Sequence, residues 1–419
     1  METASERTFL FIDRNLDPVL SLKLDLIQTL AIAAVVFYCG VLLKTKIPIL
    51  ERLNIPSAVV GGLIFAGLML LTRDRYLNVE FDAATQPLFM VVFFTTIGMG
   101  ASLPLLKRGG AQVLIFLIIS TLFCFLQNFL GMGIAKLFGV NALLGVLAGS
   151  VTLVGGPATA LAFAPLFKDA GVVGADTLGL TAATFGIVCG GIVGGPVGTW
   201  LIKRHHQERS GPSSGKSAAE ICQPDKITIQ VDREDSSLMV SIIVAAIAMG
   251  LGSIVSKYFQ SLGWTLPAYI GAMLVASVLR NLDDAHGWFK INHSAMTLIG
   301  TISLNIFLVV ALMNLRLWEL LHLAIPLFAI LVAQVFVVAL FAATLSYRFM
   351  GKDYESAVMA SGFIGFVLGT TANAVANMKT LVGKFGPAPR AFLVVPIVGA
   401  FFIDFTNALI ITLFLNWLG

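Results

Sequence analysis

The sequence predicts an all-α polytopic membrane protein, an inverted-topology repeat of two five-helix halves, each with a re-entrant hairpin and with about ten transmembrane helices in all. Three observations predict it. The 419 residues are 57% hydrophobic and only 12% charged, where a soluble domain carries about 25% charged residues. The apolar residues fall in runs of about 20, enough to cross a bilayer. Corresponding features also recur about 210 residues apart, as in duplicated transporter halves. Asn54-Ile55-Pro56 and Thr265-Leu266-Pro267 each open an apolar run. Gly155-Gly156-Pro157-Ala158-Thr159 and the stretch from Gly365 to Gly369-Thr370-Thr371 each interrupt one.

Residues 1–24 carry acids and two arginines without a cleavable signal pattern, and read as an extracytoplasmic N-terminal segment. The first repeat, 25–202, has spans at 25–44, 57–72, 86–106, 111–137 and 174–202, with a hairpin at about 141–168. A polar stretch, 203–236, contains Gly-Pro-Ser-Ser-Gly and mixed charges, and reads as a flexible cytoplasmic connector. The second repeat, 237–419, has spans at 237–258, 264–280, 294–315, 320–347 and 388–417, with a hairpin at about 354–384. Both hairpins are apolar but broken by glycine, threonine or proline. Irregular backbone at membrane depth is tolerated only where it is buried in protein or lines a cavity.

This arrangement splits the 27 Lys and Arg residues as 18 on one side and 9 on the other. The richer side is cytoplasmic by the positive-inside rule, so both termini are extracytoplasmic. Five spans per half is an odd number, which inverts the second half. The hairpins then enter from opposite sides, and their tips can meet near the midplane.

The net charge of +4 sits in loops and does not point to nucleic acid. Cys39, Cys124, Cys189 and Cys222 lack metal or redox spacing and read as packing residues. There is no His-Glu-x-x-His motif and only one deep aspartate, which argues against an intramembrane enzyme. All five histidines fall in loops or near span ends, so no buried histidine relay is expected.

The candidate substrate-binding residues are Gly155, Gly156 and Thr159 in the first hairpin, and Gly365, Gly369, Thr370, Thr371 and Asn373 in the second. Adjacent glycines turn the chain sharply and expose N–H groups. A half-helix starting there points its positive end at an anion. Close helix packing is the competing reading of such glycines and threonines. Asn373 and Asn377 are four apart and share a helix face, where neutral oxygens suit sodium or a small solute. Asp404, deep in the last span with Asn407 one turn away, suits a cation. An unpaired carboxylate at that depth is costly. A structural hydrogen bond and a proton-carrying acid are the other readings. Gln127-Asn128 reads as structural glue, and Arg390 as a positive-inside anchor rather than a solute contact.

Several stretches carry a resemblance. Gly383-Lys384-Phe385-Gly386-Pro387 and the run from Ala391 to Asp404 closely resemble the bacterial sodium/glutamate symporter family. So do Ala183-Thr184-Phe185-Gly186, Gly190-Gly191-Ile192-Val193-Gly194-Gly195-Pro196, Leu147-Ala148-Gly149-Ser150 and Ala374-Val375-Ala376-Asn377-Met378. The resemblance implies secondary active, sodium-coupled import of glutamate or a related small organic anion by an elevator-type movement. Sodium would be the coupling ion, with no bound cofactor. Thr184, Asn377, Asp404 and Asn407 match and are the sodium candidates. A homodimer in the bacterial inner membrane is also implied. Spans one, two, six and seven would be its scaffold, and the other spans and both hairpins would move. The chain departs from the family at the tips. Pro157 and Ala158 stand where a His-Gly pair is usual, and 363–368 is bulkier and more apolar. A proton-coupled carrier of another amino acid or organic anion is the alternative, and a passive channel is the alternative of a different class.

Overall fold

The computed structural model describes residues 20–53, 55–72, 77–82, 84–205, 231–261, 267–315 and 323–418. Residues 1–19, most of the connector, Asn54, Thr265 and Leu266 lie outside the described residues. The first half contains α1 (Leu26–Lys46), α2 (Pro48–Arg52), α3 (Ser57–Thr72), α4 (Thr85–Met99) and α5 (Leu103–Leu137). It continues with α6 (Ala142–Val146), a π turn (Leu147–Val151), α7 (Gly156–Asp169) and α8 (Ala175–Arg204). The second half contains α9 (Val231–Ser261), α10 (Ala268–His286), α11 (His293–Met313), α12 (Ala324–Phe341), a π turn (Ala342–Ser346) and α13 (Tyr347–Phe349). Then come α14 (Tyr354–Val367), α15 (Thr371–Phe385), α16 (Pro389–Ile397), a third π turn (Val398–Phe402) and α17 (Ile403–Leu418).

Among the described residues, six helical segments are long and apolar enough to cross a membrane: α1, Gly110–Leu137, α8, Leu238–Ser261, α11 and Ala324–Phe349. Their outward faces stay apolar, with Ile27, Leu122 and Phe336 exposed. That pattern suits lipid rather than water.

Three features differ from the sequence reading. A two-stranded parallel pair, β1 (Leu20–Lys23) with β2 (Leu77–Glu80), stands in an otherwise helical fold. It leads into α1 through Asp25, which caps the helix by accepting the Gln28 N–H at 2.7 Å. Secondly, α9 begins at Val231, inside the expected connector. Thirdly, the expected span 86–106 stops at Met99. There α10 takes hold of the chain: Asn281 accepts the Leu103 N–H at 2.9 Å and donates to the Ala101 carbonyl at 2.8 Å, while Ser102 Oγ donates to Asp284 at 2.6 Å. The segment then breaks at Gly110 (φ 63°, ψ −161°) before the long arm of α5.

The helices sort into two bundles. One contains α1, α3, α4, α9, α10 and α11, and the other contains α5 to α8, α12 and α14 to α17. The scaffold expected from spans one, two, six and seven thus has α4 and α11, the third and eighth, packed with it. Small residues make these contacts close, as in other membrane bundles. A Cβ on Gly98 would collide with the Met273 carbonyl of α10, and one on Gly300 with Thr96. Gly40 meets Gly61 where α1 crosses α3, and Gly252 meets Gly271 where α9 crosses α10.

Candidate functional site

Both expected hairpins form as helix–break–helix elements in the second bundle. In the first, Asn141 caps α6 by accepting the Leu143 N–H at 2.9 Å. The π turn then brings Gly149 onto α5, where a Cβ would lie 2.7 Å from Asn128 Oδ1. That oxygen accepts the Ser150 N–H at 2.9 Å, and Asn407 Nδ2 donates to the Ser150 carbonyl at 2.9 Å. The tip breaks at 154–155. Gly156 adopts φ +65°, a conformation open to glycine, and α7 starts there with Pro157 in its first turn.

The second hairpin is fixed at its base and along its length. Asp353 caps α14, accepting the Ser356 N–H at 2.8 Å and the Ser356 hydroxyl at 2.6 Å. Arg390 Nη2 donates to both Asp353 oxygens, at 2.6 and 2.7 Å, and its backbone N–H donates to Glu355 at 2.7 Å. Arg390 is therefore a brace for the hairpin rather than a free anchor. Partial burial raises the Asp353 carboxyl, but the Ser356 hydrogen bonds and Arg390 outweigh it and leave the pKa below the ordinary 3.8. Towards the tip, α15 docks on α8. Asn373 Nδ2 donates to the Ile187 carbonyl at 2.7 Å, and Asn377 Nδ2 to the Gly190 carbonyl at 2.9 Å. Ser361 of α14 adds a bond to the Gly194 carbonyl at 2.8 Å. These bonds explain the glycine-rich stretch of α8, which leaves room for the hairpin to reach its carbonyls.

The two tips meet. A Cβ built on Gly156 would lie 3.5 Å from the Gly369 carbonyl oxygen. Beside them is a cavity of about 330 Å³, lined by 154–158, by Gly369, Thr370, Thr371 and Ala372, and by Gly399 and Asp404. The first bundle closes the far wall with Phe93 and Ile97 of α4 and Leu304 and Leu308 of α11. Among the described residues, Asp404 is the one charged side chain in this lining. It follows the third π turn, whose Gly399 carbonyl accepts the Thr371 hydroxyl at 2.8 Å. π turns are frequent at functional sites. Among the described residues, no basic side chain forms an ion pair with Asp404. The start of α7 and the start of α15, capped by Thr370, both face the cavity. Each presents the positive end of a helix dipole.

Of the sequence candidates, Gly155, Gly156, Gly369, Thr370, Thr371 and Asp404 line this cavity. Thr159 lies one turn behind it, buried beneath Gly155. Gly365 is in the interior of the second hairpin, against Ala374 and Asn377. Asn373 and Asn377 join α15 to α8, and Asn407 joins the last helix to the first hairpin. Thr184 Oγ donates to the Leu180 carbonyl of its own helix at 2.8 Å. The four sodium candidates are thus spread over separate contacts, with only Asp404 in the cavity wall. Among the described residues, no cluster of three or more His, Cys, Asp or Glu gathers for a metal. Sequence reasoning missed the far wall. Its signal was the i, i+4 pairs Phe93/Ile97 and Leu304/Leu308, each on one helix face.

A profile of the Sodium/glutamate symporter family matches residues 22–387. The Escherichia coli (strain K12) sodium/glutamate symporter is 39% identical over 396 residues, covering 94% of this chain and 98% of that protein. The Haemophilus influenzae protein of the same description is 38% identical over 385 residues, covering 91% and 95%. The chain belongs to the sodium/glutamate symporter family. A member of this family is a transporter and not an enzyme, and its apolar helices make it a multi-pass membrane protein. The match covers nearly all of both proteins, so the family relation spans both bundles and both hairpins. A sodium proton antiporter structure from Methanocaldococcus jannaschii aligns at TM-score 0.42 and 15% identity, too distant to carry an argument.

Proposed function

We propose that this symporter-family protein imports glutamate, or a closely related small organic anion, driven by inward sodium flow. The observation that carries the reading is the cavity where both hairpin tips meet Asp404. Two helix starts supply positive potential and N–H groups for the carboxylates of the solute, and Asp404 supplies negative charge for a cation. With no arginine or lysine in the lining, solute charge is met by dipoles and N–H groups. Sodium adjacent to Asp404 offsets the carboxylate, so the anion binds well only when the cation is present. That is positive linkage between two ligands. Asn377 and Asn407 are proposed as positioning groups that hold the two hairpins around this cation, with Thr184 as a further oxygen available to it.

We read the chain as ten spans in two inverted repeats, 25–202 and 237–419, joined by a cytoplasmic connector, with both termini extracytoplasmic in a bacterial inner membrane. The recurrence of the Gly40/Gly61 contact as Gly252/Gly271, about 210 residues on, supports the repeat. The first bundle would serve as the scaffold of a homodimer. The second, carrying the hairpins, would shift as a unit past the wall made by α4 and α11. That wall is apolar at the cavity, as a sliding surface requires: Phe93, Ile97, Leu304 and Leu308 make no directional bonds that movement would have to break.

The deciding experiment is uptake of labelled glutamate into proteoliposomes with and without an inward sodium gradient, for the wild type and Asp404→Asn. Sodium-dependent uptake lost in the variant is the expected result. Uptake that ignores sodium but follows a pH gradient would reassign Asp404 to proton coupling. Rates far above carrier turnover would mean a channel.

A further inference from the structure

A second cavity lies in the hairpin-bearing bundle, between the end of α8 and the π turn that follows α12. Its volume is about 830 Å³. The side chains of Arg204, His205, Arg348 and Lys352 line it together with Trp200, Tyr347 and Phe349, and among the described residues no carboxylate does. We propose that this cavity binds the phosphodiester headgroup of an anionic phospholipid, with its acyl chains lying along the outer faces of α8 and α12.

Four observations support that assignment. First, Arg204, Arg348 and Lys352, each exposed, border one concavity. Arg204 stacks on Trp200, with its guanidinium carbon 4.8 Å from the ring centroid, which presets a planar donor fork. His205 packs on Tyr347 at 5.0 Å between ring centroids, and Tyr347 donates its hydroxyl to the Lys352 carbonyl at 3.0 Å. Lys352 itself takes a left-handed φ of 56°, so the segment that carries it is held in one shape. Secondly, Asp353, next to the patch in sequence, is engaged by Arg390 and Ser356. Among the described residues, neither Arg204 nor Arg348 forms an ion pair. Thirdly, the π turn Ala342–Ser346 supplies one wall, with Ala343, Thr344 and Leu345, and widens the helix at that point. Fourthly, apolar side chains continue from the cavity along the lipid-facing surface. Trp200, Leu345 and Phe349 at the rim are exposed, and Phe336 and Leu340 follow on α12. A soluble anion would use the cations alone, whereas a phospholipid uses both parts. Basic pockets between membrane helices bind such headgroups, and tryptophan belongs at that interface.

The two helices that form the cavity are in the hairpin-bearing bundle, so a lipid held there would stay with that bundle. The test is native mass spectrometry of the detergent-purified full chain equilibrated with equimolar phosphatidylglycerol and phosphatidylcholine. Arg204→Gln/Arg348→Gln is compared with Lys44→Gln/Lys46→Gln, which removes the same charge outside the cavity. The wild type should retain phosphatidylglycerol in preference by about 25-fold, about fivefold per cation near a membrane surface. The first double variant should lose most of that preference, and the second should keep it. Should the first variant not fold, Trp200→Ala is read for the same loss, because Trp200 orients Arg204. Equal retention of the two lipids by the wild type, equal loss in both double variants, or unchanged preference in the cavity variant would each overturn the assignment. Displacement of phosphatidylglycerol by millimolar inorganic phosphate would reassign the cavity to a soluble anion.

Discussion

Replacing Gly365 by alanine tests how the second hairpin is built. A Cβ at this position would lie 2.7 Å from the Ala374 nitrogen, 2.7 Å from Asn377 Nδ2 and 2.8 Å from the Asn373 carbonyl carbon, where ordinary contact begins at 3.4 Å. Two of these atoms are backbone and cannot rotate away, so the two arms of the hairpin must part by about 0.7 Å. Overpacking of that kind costs about 1–3 kcal/mol. The same shift lengthens the 2.9 Å bond from Asn377 to the Gly190 carbonyl beyond hydrogen-bond range, which adds about 0.5–1.5 kcal/mol. Alanine returns about 1 kcal/mol through its better helix propensity. The net destabilisation is about 0.5–3.5 kcal/mol. Gly383 in the same hairpin has nothing within 4 Å of a Cβ, so Gly383→Ala is the matched control. Thermal unfolding in detergent and glutamate uptake in proteoliposomes are compared for both variants. Gly365→Ala should melt earlier and transport poorly, while Gly383→Ala should melt at or above the wild-type temperature. Gly365→Ala with wild-type melting and uptake would refute the packing argument, because the hairpin arms would then have space that the geometry denies.

Thr371→Val keeps the side-chain shape but deletes the hydrogen bond to the Gly399 carbonyl; it should cost about 0.5–1.5 kcal/mol in unfolding experiments and raise the KM for solute more than it lowers stability. At Gly110 the backbone is in a region kept for glycine, with open space around it. Gly110→Ala should therefore cost about 1–3 kcal/mol from backbone strain alone, while Gly133→Ala in the same helix, also in open space, should be neutral or stabilising in the same melts. The lowered Asp353 carboxyl makes the hairpin base acid-sensitive. Its contribution is complete above the ordinary aspartate value of 3.8 and is lost as pH falls below that value through the lowered folded-state pKa. Hydrogen exchange at 353–357 should rise on acidification below about pH 4, and Arg390→Gln should move the onset to higher pH; an unmoved onset would mean that Arg390 does not set it.

The positions of the helices were legible in the sequence because length and hydropathy report directly on what must be kept from water. The expected 57–72 is α3, and 174–202 matches α8, Ala175–Arg204, to within two residues at each end. Both hairpins were legible from Gly155, Gly156, Gly369 and Thr370, since broken backbone in an apolar run needs a buried reason. Asp404 was legible for the cost of a lone carboxylate in such a run. The parallel pair of Leu20–Lys23 with Leu77–Glu80 was not, because its partners are far apart in sequence and each strand is only 4 residues long. Nor was the work of Asn373, Asn377 and Asn407. An asparagine in an apolar helix announces that it needs a partner, and only packing says which carbonyl it finds. Pairwise contact decided the rest: glycine contacts join α4 and α11 to the first bundle, and that places Phe93 and Leu304 opposite the hairpin tips. Sequence by itself determined the apolar helices, their breaks and the lone aspartate deep in the last apolar run, each a property of a single stretch of chain against its solvent. Tertiary structure decided which breaks face each other and what wall closes the cavity, because those depend on the fit between surfaces distant in sequence.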